Sequence, residues 1–267
     1  MPAAAAPILV TGSHRSGTTW VGRILASAPS TVYLHEPFHR RPDPGTAGAD
    51  TRFDCWFTYV CRENEQAYRA AIEDVLARAA RAHASNRPTR PIVKDPLAVF
   101  SAPWFADRFQ TRNVVLVRHP AAFAASLKHK GWTHPFADFL RQPLLMAHHL
   151  DPFAGEIMRF TRQAHDVVDQ AALLWRLIYS VVLQYQRDFP GWTYVRHEDL
   201  VPDPPSAFRT LFAQLDLDYG VDAERAIAAH RRTEVADWRE RLTDTEIQRV
   251  RIGVGTLADR FYADADW

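Results

Sequence analysis

Pro7-Ile8-Leu9-Val10-Thr11 runs straight into Gly12-Ser13-His14-Arg15-Ser16-Gly17-Thr18-Thr19-Trp20. A short apolar run ended by one glycine, a loop closed by a second, and a helical stretch to about Ala28 read as strand, glycine loop, helix. Glycines at this spacing let the backbone curl around an anion, and the N–H groups at the helix start supply its positive end. The spacing matches a nucleoside-triphosphate loop up to Gly17, where a lysine should follow to reach the β- and γ-phosphates. Thr18 stands there instead. The cation lies inside the loop, as Arg15, and no aspartate after an apolar strand completes a magnesium site, Asp95 being the only near candidate. The loop is expected to hold a phosphate that needs little metal, with Ser13, His14, Arg15, Ser16, Gly17, Thr18 and Thr19 as its donors.

Further strands are expected at Val32-Tyr33-Leu34-His35, Ile92-Val93-Lys94, Val114-Val115-Leu116-Val117 and Trp192-Thr193-Tyr194-Val195. Continuous Val/Leu runs suit parallel strands buried on both faces. Between them, apolar spacing predicts helices over 17–28, 52–62, 65–83, 120–130, 165–188, 205–216, 222–230 and 243–262. Residues 131–163 carry many aromatics and histidines and no strand pattern, so they are expected to form a helical and loop cover over a site. Strands alternating with helices give an α/β fold: a P-loop-like, three-layer arrangement with a central, mainly parallel sheet. With no repeat and no linker, residues 1–267 are expected to be one domain.

Composition narrows the partners. Of 267 residues 47% are hydrophobic, and the formal charge is +1, so no global field favours nucleic acid or an anionic membrane. Two cysteines, Cys55 and Cys61, argue against a disulfide scaffold and are too few for a structural zinc site. The start lacks a basic leader pattern, and the apolar run Leu173 to Leu183 contains Arg176 and is too short to span a bilayer. These features lead to the expectation of a soluble, cytoplasmic protein with no membrane insertion and no nucleic-acid partner. Oligomeric state is not legible.

A second anion site is expected after the strand 114–117. Arg118 stands at the carboxyl end of that strand, where open α/β sheets bind ligands. Pro120 suits the first helical turn, and Ser126 lies about two turns further in, within reach of a shared ligand. Among the remaining histidines, His129, His134, His148 and His149 have no carboxylate at ligand spacing, so no metal is expected.

These motifs resemble those of sulfotransferases that use 3′-phosphoadenosine 5′-phosphosulfate, in particular the bacterial and carbohydrate-type branch. Arg15-Ser16-Gly17-Thr18-Thr19-Trp20 resembles that family's 5′-phosphosulfate loop, and Arg118 with Ser126 its 3′-phosphate pair. Lys94-Asp95-Pro96, the stretch Arg196 to Pro204 and Trp238-Arg239-Glu240-Arg241-Leu242 are similar as well. Arg231 and Arg232 resemble a second clamp on the 3′-phosphate, although Thr233 and Ala236 replace the glycines of that stretch. The resemblance implies sulfuryl transfer from the phosphosulfate to a hydroxyl of a carbohydrate or other small metabolite, with 3′,5′-ADP as product and no metal required. Glu36 in Tyr33-Leu34-His35-Glu36-Pro37-Phe38 is the expected base, with Asp95 in reserve; Arg15 and Lys94 would stabilise charge on the leaving oxygen. A P-loop small-molecule kinase and a non-catalytic nucleotide-binding protein are the alternatives.

Overall fold

Five parallel strands form one sheet: β1 (Ile8–Gly12), β2 (Thr31–His35), β3 (Arg90–Lys94), β4 (Arg112–Val117) and β5 (Thr193–Arg196). Their order is β2-β3-β1-β4-β5, and β1 pairs in parallel with both β3 and β4. The computed structural model describes residues 6–38, 53, 55–81, 89–229 and 238–267.

Side chains alternate across the sheet, as the two-residue period of a strand requires. Leu9, Val93, Val115 and Val117 enter one buried cluster; Ile8, Val10, Ile92, Val114 and Leu116 enter another on the opposite face. Both faces are therefore covered, which explains the continuous apolar runs Ile8–Val10 in β1 and Val114–Val117 in β4. The second cluster is closed by α1 (Thr18–Leu25), with Trp20, Val21, Ile24 and Leu25 buried. On the first face lie α2 (Arg69–Arg81), α3 (Ala102–Phe109) and α4 (Pro120–Lys130).

The cover consists of α5 (Ala137–Leu140), α6 (Pro143–Leu145), a π turn at Met146–Leu150 and α7 (Ala154–Arg162). It is followed by α8 (Val167–Asp188), started by the Asp166 carboxylate accepting from the Val168 N–H. α8 falls within the helix expected over 165–188; unlike the run Leu173 to Leu183 taken alone, it is long and apolar enough by composition to cross a bilayer, but it is mostly buried inside the fold. α9 (His197–Leu200), α10 (Pro204–Gln214), α11 (Val221–Ala229), α12 (Trp238–Arg241) and α13 (Asp244–Val254) complete the chain.

Two expectations need correction. The described residues of 52–62 are not helical. Their backbone is claimed from outside: Trp56 N–H donates to Asp138, Tyr59 N–H to Gln142 and Val60 N–H to the Ser101 hydroxyl. The helix expected over 243–262 ends at Val254, because Gly255 takes φ +58°. α3 was not expected at all.

Candidate functional site

Because β3, β1 and β4 are neighbours, the segments leaving their carboxyl ends converge: Lys94-Asp95 from β3, the glycine loop from β1, and Arg118 from β4. This is where open parallel sheets present ligands.

The loop needs both of its glycines. Gly12 has φ +142°, and a Cβ there would collide with the Leu116 carbonyl oxygen; Gly17 has φ +94°, and a Cβ would collide with the His197 ring. Ser16 Oγ donates to the Ser13 carbonyl at 2.6 Å. Tyr179 on α8 donates its hydroxyl to the Leu116 carbonyl (3.2 Å), so at the 2.9 Å contact between Ser13 Oγ and Tyr179 Oη the serine is the donor. Both serine hydroxyls are thus turned inward and hold the loop's shape. What they leave for an anion is backbone N–H. Gly17 precedes α1 with no side-chain cap, which keeps the first helical turn open to an external acceptor. Thr18 is buried and Thr19 half-buried.

Arg15, at φ +62°, extends its side chain to α4. Its Nε donates to Ser126 Oγ at 2.9 Å, and Arg118 Nη1 donates to the Arg15 carbonyl at 2.6 Å. Arg15, Arg118 and Ser126 therefore form one cluster. Trp175 on α8 fixes Arg118 by donating Nε1–H to its carbonyl (2.9 Å). The next residue, His119, donates its N–H to Glu198 (3.0 Å), whose other oxygen accepts from Tyr262 (2.9 Å). The His119 ring stacks on Trp238 and meets Tyr262 and Trp267 edge-on. Burial pulls its pKa down to about 4.

On the β3 side, the Lys94 ammonium is fully buried and pairs with the Glu36 carboxylate, which is 27% exposed. Burial pulls Lys94 below its usual range, with Glu36 opposing. Glu36 takes φ +45°, and its N–H donates to the Lys94 carbonyl (2.7 Å). Asp95 is fully buried, and its two oxygens accept from the N–H groups of Phe38 (2.9 Å) and Leu97 (3.0 Å). Desolvation raises its pKa to about 7, against those two hydrogen bonds. Asp95 thereby fixes the turn that carries Glu36 and caps the following 3₁₀ turn at Pro96–Ser101.

His14 joins the two sides. Its pKa falls to about 4, first from burial, then from Arg15, while Glu36 acts in the opposite sense. Aromatic rings surround it: Phe123 at 5.4 Å, Phe57 at 5.9 Å, Trp56 at 6.1 Å and Trp132 at 6.4 Å between centroids. The cover aromatics divide: Phe136 and Phe139 are core, whereas Trp132 is 45% exposed with the Arg15 guanidinium 5.8 Å from its ring. Trp20 packs against His197 and Phe208 in the core below the loop. His35 Nδ1 lies 3.2 Å from the Tyr33 hydroxyl. Arg231 and Arg232 lie outside the described residues. Tyr179 and Trp56 carry no site signal in the sequence, since each reads as an ordinary apolar position.

A profile described as the sulfotransferase family matches residues 7–220. No curated protein matches the chain. Among solved structures, the chain is similar to the sulfotransferase domain of an olefin synthase from Synechococcus PCC 7002, at 18% identity, 98% coverage of both chains and a TM-score of 0.57. It is also similar to sulfotransferase STF9 of Mycobacterium avium, at 14% identity, covering 97% of this chain and 77% of that one, with a TM-score of 0.53. At such identities these likenesses concern the fold.

Proposed function

Because the chain belongs to the sulfotransferase family, we propose that it takes its sulfuryl group from 3′-phosphoadenosine 5′-phosphosulfate and delivers it to a hydroxyl of a small molecule. The observation that carries this reading is the Arg118–Arg15–Ser126 cluster, which binds the glycine loop to the end of β4. A donor with phosphate at both ends of its ribose needs two anion sites on one rigid support. A nucleoside triphosphate needs the loop and a lysine, and this chain has Thr18 at that place.

In this reading Gly17, Thr18 and Thr19 offer N–H groups to the 5′-phosphosulfate, with Ser13 and Ser16 bracing the loop. Arg118 and Ser126 hold the 3′-phosphate; Arg231 and Arg232 are further candidates for it. The transferring group passes in line, so that catalysis rests on position and charge. Charge grows on the bridging oxygen as the 5′-phosphate leaves, and one well-aimed donor there is worth about 3–4 kcal/mol of barrier. Arg15 and Lys94 fill that role, and Arg15 does so without yielding a proton.

Glu36 is the base in this reading. Its carboxylate is held by the buried Lys94 ammonium and still reaches solvent, whereas Asp95 has both oxygens committed to backbone N–H groups. The acceptor enters beside His14 and Trp132, under the 131–163 cover, and residues 1–267 act as one unit.

Thermal unfolding tests the donor. 3′,5′-ADP without magnesium is expected to stabilise the protein, by about 2.7 kcal/mol at a hundred times its dissociation constant, and ATP with magnesium much less. Equal stabilisation by ATP with magnesium would point to a kinase and overturn the reading.

A further inference from the structure

Past Phe57 the chain turns through Tyr59, Cys61 and Glu63 and meets the π turn of the cover. Cys61, Glu63 and His148 each bring one metal-ligating atom to a common point, all within 4.8 Å of one another. Cys61 Sγ is 3.9 Å and His148 Nε2 3.4 Å from the same Glu63 oxygen, Oε2. Bonds of about 2.3 Å to sulfur and 2.0–2.2 Å to nitrogen and oxygen around tetrahedral zinc would set such atoms roughly 3.3–3.6 Å apart. The observed separations are within a side-chain adjustment of that.

A relay of hydrogen bonds behind His148 fixes which of its nitrogens is free. Gln184 Oε1 lies 3.3 Å from His149 Nδ1, so that nitrogen carries the proton and His149 Nε2 is an acceptor. The Tyr59 hydroxyl, 3.4 Å away, donates to it. Tyr59 Oη, already donating, accepts from His148 Nδ1–H at 3.0 Å. His148 Nε2 is then left with its lone pair facing the Glu63 carboxylate. Two acceptors at 3.4 Å repel unless a proton or a metal cation stands between them. An imidazole whose far N–H is held by a buried oxygen is also how proteins orient a metal-binding histidine.

The surroundings are built to keep this arrangement. The Cys61 N–H donates to Asn64 Oδ1 and Asn64 Nδ2 donates to the Tyr59 carbonyl, both at 2.8 Å. The π turn at Met146–Leu150 sets two successive histidine rings edge-on against Tyr59, 5.8 and 5.5 Å away. π turns recur where side chains are re-aimed for function.

We propose that Cys61, Glu63 and His148 bind one zinc-like divalent cation, with water in the fourth position, fastening the 55–64 segment to the cover. Sulfur, imidazole and carboxylate together favour zinc over magnesium or calcium. Binding turns the Cys61 thiol into a thiolate and releases its proton to solvent; no electron moves. Thiolate and carboxylate then balance the charge of the ion.

The test uses the full chain, stripped with chelator and titrated with Co²⁺. One equivalent is expected to bind with a near-ultraviolet thiolate-to-cobalt band and visible tetrahedral bands, and Zn²⁺ should abolish both. Cys61→Ser should lose the near-ultraviolet band, and Cys55→Ser should keep it. Tyr59→Phe, which removes only the oxygen behind His148, should weaken binding about 10- to 100-fold. Far-ultraviolet circular dichroism establishes that each variant is folded, and Glu63→Gln, on an exposed side chain, serves if Cys61→Ser is not; it should bind at least about tenfold more weakly. A folded wild-type protein with no thiolate band, a band that survives Cys61→Ser, or an affinity indifferent to both Tyr59→Phe and Glu63→Gln would overturn the site.

Discussion

The Arg15 guanidinium donates to the Ser126 hydroxyl across 111 residues of chain, while Arg118 donates back to the Arg15 carbonyl. The loop's own cation is thereby tied to the end of β4 and to α4, where the second anion site is proposed. Ser126→Ala should cut 3′,5′-ADP affinity by about ten- to a hundredfold, the 1.5–3 kcal/mol of a charge-assisted hydrogen bond. Calorimetric titration measures it; an affinity unchanged by the substitution would remove Ser126 from the donor site.

Glu36→Gln keeps the shape of the turn and removes the proposed base. Turnover should fall by roughly 10²–10⁴-fold, with the dissociation constant for 3′,5′-ADP within about a factor of two. Asp95→Asn should instead act mainly through stability, since that side chain braces the turn at Phe38 and Leu97. If Glu36→Gln turns over normally, the base lies elsewhere.

His119 sets a pH dependence whose sign can be worked out. Its native pKa of about 4 lies below the ordinary 6.5, so on acidification the unfolded chain takes up a proton before the native one does. The stability it contributes is present above about pH 6.5 and lost as pH falls toward 4, about 2 kcal/mol of it by pH 5. Asp95, raised to about 7, runs the other way: its contribution is complete below about pH 4 and lost as pH rises through 7. Denaturant unfolding of wild type and His119→Phe at pH 7 and pH 5 isolates the histidine. The variant should lose about 2 kcal/mol less over that interval, and parallel losses would show that His119 does not titrate as described.

Gly17→Ala should destabilise the fold by about 1–3 kcal/mol, combining left-handed backbone strain with overpacking. Its Cβ would meet the His197 ring. Pairing it with His197→Ala removes the collision and leaves only the backbone cost, so the double variant should recover part of the loss. Identical stability of single and double variants would rule out the contact as the cause.

Strand, loop and first helix were legible because one stretch of chain holds all their determinants: the apolar run, the two glycines and the helical spacing. β4 and α4 were legible for the same reason, with Pro120 marking the helix start. The segment 52–62 misled because its backbone is held by Asp138, Gln142 and Ser101, residues far along the chain. The candidate site was readable where a motif is contiguous, as at Arg15 or Arg118. Tyr179 and His197 were not, because each acts on the loop only through a contact that folding creates.

Trp175, Tyr179 and Tyr185 give α8 a consequence beyond packing. Their ring donors hold the carbonyls of Arg118, Leu116 and Phe100 in turn, and Tyr179 also receives the Ser13 hydroxyl. One keel thus carries the moorings of three neighbouring loops, so none can drift without straining the others. Loosening this helix would slacken the whole upper edge of the sheet in a single event.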